Sequence, residues 1–162
     1  MISLPLKNEL DLSYLCTTIG NMAGVPIRIY KNQHMVFYHS IVTLPKDPVL
    51  LYEKELLSVT EPIGYFITQE FDYYGISNHE NQSIIIGPAR LSTPPEQYLH
   101  KLAFDLSVEP DDMQTFLSSM KTIIHMPLES ILQILCTLHY VISGKKIGLN
   151  ELSIIDSAQE KL

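Results

Sequence analysis

Residues 62–90, PIGYFITQEFDYYGISNHENQSIIIGPAR, constrain this chain more than any other stretch. Three short runs rich in aromatic and β-branched residues, 63–68, 72–77 and 82–87, follow one another with polar turn formers between them. That pattern reads as consecutive antiparallel strands. Ser83-Ile84-Ile85-Ile86-Gly87 is apolar on both faces and suits a central strand covered on each side, whereas the adjacent Tyr73 and Tyr74 must point to opposite faces. Pro88 lacks a ladder donor, so the strand is expected to end at Gly87-Pro88. Helices are expected on at least one side of this sheet, and any ligand pocket should lie against it.

A chain of 162 residues with 46% hydrophobic content can bury about 70% of its unfolded surface as one domain without metals or disulfides. Its net charge of −7 leaves only two arginines and nine scattered lysines, with no basic stripe to follow phosphates. Nucleic-acid binding by this chain alone is therefore not expected. Cys16 and Cys136 are isolated among apolar residues, a pattern of buried thiols in a reducing compartment, and cytoplasm is the expected location. No apolar run approaches the ~20 residues of a membrane span, and MISLPLKNELDLSY carries no basic segment followed by an apolar one.

Leu12, Leu15, Cys16, Ile19 and Met22 recur at helical spacing, with Asp11 as cap and Gly24 as stop. Residues 25–31 and 34–42 read as a hairpin across Asn32-Gln33, and Asp47-Pro48 opens a short helix with Val49, Tyr52, Leu56 and Val59 on one face. After the central strands, Thr93-Pro94-Pro95-Glu96 has the form of a capping box with Leu99, Leu102, Ala103 and Leu106 as its buried stripe. Glu109-Pro110-Asp111-Asp112 starts a further helix with Met113, Phe116, Leu117 and Met120 inward. Pro127 opens a longer one up to Gly144, apolar over more than one face, which suits either a core position or a dimer contact. Residues 149–162 could form one more weakly amphipathic helix without a partner in the chain. The expected division is a sensor and dimerisation domain over residues 1–146 and a linker over residues 147–162.

This order of elements is that of PAS- and GAF-type sensor domains, so the expected fold class is α+β: a five-stranded antiparallel PAS/GAF-like sheet with packed helices and a C-terminal helical segment. The segments YFITQEFDYYGISNHENQSIIIGPA, TPPEQYLHKLAFDL and MPLESILQILCTLHYVISG also resemble the N-terminal domain of AraC-type transcription regulators from Firmicutes, over about residues 4–152. The resemblance implies a sensor or dimerisation module joined to a DNA-binding half of two helix-turn-helix units. That half has no counterpart here, so DNA contact is expected only through a domain absent from this chain.

Motifs for chemistry are sparse. His34 and His39 are five apart on an expected strand and leave opposite faces, and neither Cys-x-x-Cys nor His-Glu-x-x-His spacing occurs. Asp111-Asp112 fits a helix start, and no serine sits in a nucleophile elbow. No metal, no cofactor and no enzymatic activity are expected, and His125 and His139 read as packed or surface histidines. Arg28 in the first strand and Arg90 after the last could anchor a ligand's carboxylate or phosphate, or form surface ion pairs. Tyr65, Tyr73 and Tyr74, with Phe66 and Phe71, could line a small-molecule pocket or be plain core. A homodimer is expected through one flank of the helix after Pro127, centred on Leu138 and Val141 with weaker involvement of Leu152 and Ile155; the competing arrangement sandwiches that helix inside the chain. Two functions follow as expectations: a small-molecule-sensing and dimerisation domain, or a protein-interaction scaffold without a ligand.

Overall fold

The computed structural model describes residues 11–69 and 71–155. Helix α1 (Leu12–Ala23) starts where the Asp11 carboxylate accepts from the Tyr14 N–H at 3.0 Å, and it stops at Gly24, left-handed at φ 78°. Strands β1 (Ile27–Lys31) and β2 (His34–His39) form the expected hairpin. Asn32 and Gln33 take positive φ values of 52° and 68°, so the turn has the left-handed geometry that matches strand twist without using glycine. The Asp47 carboxylate caps a 3-10 turn, Pro48–Leu51, which leads into the single-turn helix α2 (Glu53–Leu57).

Strands β3 (Ile63–Thr68), β4 (Asp72–His79) and β5 (Gln82–Arg90) follow. Contrary to expectation, β5 does not stop at Gly87-Pro88: Ala89 pairs with Tyr73 and Arg90 with Asp72 beyond it. The register shifts at this point, so Gly87 and Pro88 stand in a bulge where proline's missing donor costs no ladder bond. Gly87 has φ 123°, and a Cβ there would lie 2.6 Å from the Tyr73 carbonyl oxygen, so only glycine fits.

Helix α3 (Glu96–Asp105) begins with Pro95 as its cap residue and no side-chain bond; the expected Thr93 capping box is absent because Thr93 Oγ1 is turned toward His125 Nε2, 3.4 Å away. A 3-10 turn, Pro110–Asp112, precedes α4 (Met113–Met120), and α5 (Leu128–Ser143) runs from Pro127 to the left-handed Gly144. The helix expected over residues 149–162 does not form in its described part. A 3-10 turn, Leu149–Glu151, leads into β6 (Ser153–Ile154), which pairs parallel with Gly64 and Tyr65 of β3, and the Ile155 N–H donates to the Tyr65 carbonyl at 2.7 Å. The free edge of β3 offers backbone partners that a short amphipathic helix without packing cannot match. Residues 147–155 are thus docked rather than a free linker; residues 156–162 lie outside the described residues.

The strand order is β2-β1-β5-β4-β3-β6. Its first five strands are antiparallel, so the fold is the expected α+β, PAS/GAF-like type with a short parallel strand added at one edge. On one face, Ile27, Ile29, Tyr73, Ile84 and Ile86 meet Cys16 of α1 and Ile131, Leu135 and Leu138 of α5. Gly75 lets α5 approach closely, since a Cβ there would collide with the Leu135 side chain. On the opposite face, Tyr30, Phe66, Tyr74, Ile76 and Ile85 are covered by Val49, Tyr52 and Leu56 of the 48–57 segment. A third apolar cluster joins α3 to α4 through Leu99, Leu102, Phe116 and Met120. Among the described residues no helix is long and apolar enough to cross a membrane.

Candidate functional site

Both arginines are buried, against the expectation of either ligand anchors or surface pairs. Arg28 on β1 donates from Nε (2.9 Å) and Nη2 (2.7 Å) to the two carboxylate oxygens of Asp47, and from Nη1 to the Gly87 carbonyl at 2.9 Å. Its guanidinium also lies 5.5 Å from the centroid of the Tyr38 ring. Arg90 at the end of β5 repeats the arrangement, with Nε 2.8 Å and Nη2 3.3 Å from the Asp72 oxygens and Nη1 2.6 Å from the Met120 carbonyl. Each guanidinium therefore spends its fork on one carboxylate and one backbone carbonyl of its own chain. Asp47 fixes the loop after β2, whereas Met120 fixes the end of α4.

The tyrosines are likewise committed. Tyr73 faces α5 and donates from its hydroxyl to the Met126 carbonyl at 3.1 Å, while Tyr74 is buried on the opposite face, as their adjacency requires. Burial pushes the Tyr74 phenol well above its ordinary pKa, with the neighbouring Asp72 charge adding to it. Tyr74 stacks on Phe66 with centroids 5.6 Å apart, and Tyr52 closes on both rings at 5.1 and 5.3 Å. Those spacings lie within the range of direct ring contact, so the rings fill the space between sheet and 48–57 segment. Tyr65 is half-buried against the α5 side, and Phe71 packs edge-on against Tyr98, at 4.9 Å, in the α3–α4 cluster. The Tyr98 hydroxyl is paired with Thr68 Oγ1 (2.8 Å) and donates to Asp72 (3.3 Å); burial first, then the Asp72 charge, raises its pKa. The candidate ligand set Arg28, Arg90, Tyr65, Tyr73 and Tyr74 is thus divided between the two faces of the sheet rather than gathered around one space.

A serine and a histidine do meet: Ser77 Oγ on β4 is 3.1 Å from His139 Nδ1 on α5. Both are buried, and His139 Nε2 has no partner among the described residues. The His79 ring lies 6.4 Å away at 83°, and burial, followed by His79 and Lys145, lowers the His139 pKa, which favours the neutral imidazole. Among the described residues no carboxylate orients the base, and Ser77 is fully buried, so the pair reads as a core contact. Cys16 is equally inert, its thiol pushed up to about 12 by burial. The described residues contain no cluster of His, Cys, Asp or Glu suited to a metal ion.

An apolar opening lies elsewhere. A groove of about 560 Å³ runs between α1 and α5, floored by Ile19, Ala23, Ile124 and Ile134 and rimmed by Gln133 and Thr137. Protein-family models, curated proteins and solved structures all fail to match the chain. The AraC-type resemblance therefore rests on the quoted segments alone.

Of the residues expected at a dimer contact, Leu138 is fully buried under α5 and cannot reach a partner, and Leu152 packs partly into the same cluster. Ile155 sits against Gly64 and Val59, leaving Val141, 37% exposed, as the member that faces outward. Met22, expected with Leu12, Leu15, Cys16 and Ile19 on the apolar stripe of α1, is instead strongly exposed, and Tyr14 on the outside of the same helix was missed by sequence reasoning. A signal for them existed: the α1 segment LSYLCTTIGNMA contains no charged residue.

Proposed function

We propose that this chain is a regulatory module of the kind that accompanies the DNA-binding half of AraC-type transcription regulators, acting through protein contact and pairing with its own copy. The carrying observation is the filled sheet face: Tyr52, Phe66 and Tyr74 occupy, in mutual contact, the space between sheet and 48–57 segment in which an effector would be enclosed. Both arginines are also paired with internal carboxylates. The net charge of −7 disfavours phosphate contact by this chain itself, which supports leaving that contact to a companion domain.

A second reading, small-molecule sensing, is favoured by one feature, the apolar groove between α1 and α5. A thermal-shift screen against a metabolite library separates the two. An effector at a hundredfold excess over its Kd adds about 2.7 kcal/mol of stability, an easily measured shift. The contact reading predicts no such compound, and a reproducible hit lost in Ile134→Glu would replace it with sensing.

A further inference from the structure

We propose that the outer face of α1 and α5 is where a second copy of this chain docks about a twofold axis. The inference rests on the contact reading above and names its surface. Helix α1 carries no charged residue, and α5 carries only Glu129, in its first turn. A solvated helix normally shows charge on its outer face, and 18% of this chain is charged, so two surface helices with a single formal charge between them are anomalous.

What the face shows in place of charge is Met22 at 80% exposure, Tyr14 at 69%, Tyr140 at 49% and Val141 at 37%, among Ser130, Gln133 and Thr137. Methionine and tyrosine with few charges is the composition of an interface core. The same face bears both a projection, Met22, and a hollow, the groove it borders. Projection and hollow on one patch is what a self-complementary, isologous contact requires.

Charge selects the occupant. Two copies at −7 repel each other over most orientations, and an approach through the faces poorest in acids, with Glu129 alone on the two helices, keeps the like charges furthest apart. A basic or acidic partner would find no counter-charge there. Another unpaired region, the outer edge of β2, is less suited: the β1–β2 register slips so that Val36 is an extra, unpaired residue, and bulged edges resist strand addition.

Sedimentation of the full chain at tens of micromolar tests this, with two triple variants at exposed positions: Met22, Gln133 and Thr137 all to Glu, and the same three all to Lys. Far-UV circular dichroism checks that each keeps its fold. The wild type should be a dimer that tightens with added salt, because screening removes repulsion between the acidic copies. Each triple variant should self-associate about a hundredfold more weakly or not at all, and an equimolar mixture should form a heterodimer weakened by salt. A wild type that stays monomeric overturns both this inference and the pairing it rests on, whether the groove then takes a small molecule or another protein. A wild-type dimer that neither triple variant disturbs overturns the surface alone and leaves the contact reading standing.

Discussion

The two faces of the sheet are covered in different ways, and the difference separates what holds the fold from what is open to a partner. One face lies under a segment of ten residues, 48–57, too short and irregular to cover it by helix packing, and there large rings and the partly buried Arg28–Asp47 pair do the filling. The other lies under α1 and α5, whose inner sides supply the core while their outer sides form a second, uncharged surface. A sheet can therefore be closed on the side where a PAS-type pocket is expected and still present a binding face, one layer further out.

The most severe way to break the closed face is Ile85→Asp. Ile85 is fully buried among Tyr30, Phe66 and Tyr74, and an unpaired carboxylate there costs several kcal/mol against a total stability of roughly 5 to 15. No cooperative thermal transition should remain; a soluble, cooperatively melting variant would show that the face is not sealed. Next comes the contrast between the arginine pairs. Asp72 and Arg90 are each 2% exposed, so Asp72→Ala leaves a buried guanidinium unpaired and should cost about 3–5 kcal/mol in denaturant unfolding. Asp47 is 20% exposed, water can reach Arg28 once it is gone, and Asp47→Ala should cost about 1–2 kcal/mol, including the lost cap on the 3-10 turn. Equal losses would erase the distinction between the two pairs.

The smallest effect belongs to the α5 side. His139 titrates below its ordinary value near 6.5, so the folded state favours the neutral ring. Its contribution to stability is full above that value and is lost as pH falls through the lower, folded one. The His79 ring lies 6.4 Å away, and its charge disfavours the imidazolium form of His139. Melting temperature should therefore drop more between pH 7 and 5 in the wild type than in His139→Gln; parallel curves would remove His139 from the account.

The strands and most helix ends were legible in the sequence because local signals decide them: Asp11 and Gly24 bound α1, Pro127 and Gly144 bound α5, and adjacent tyrosines had to part. The continuation of β5 was not, since proline in a bulge and proline at a strand end look alike until the partner strand is known. The tail was misread because β3's free edge is a property of the assembled sheet. The candidate site fared worse. Arg28 and Arg90 carry no sequence mark of their acids, which lie 19 and 18 residues away, and a guanidinium anchored by Asp47 reads the same as one waiting for a ligand. The uncharged α1 segment was readable, but only against the charge of the rest of the chain.

Side-chain labelling by hydroxyl radicals, read residue by residue in dilute and in concentrated protein, tests the central distinction most directly. Met22 and Tyr14 should be labelled readily at nanomolar concentration and protected at tens of micromolar, while Tyr74, 1% exposed, stays unlabelled at both. Labelling of Tyr74, or equal labelling of Met22 at the two concentrations, would contradict it.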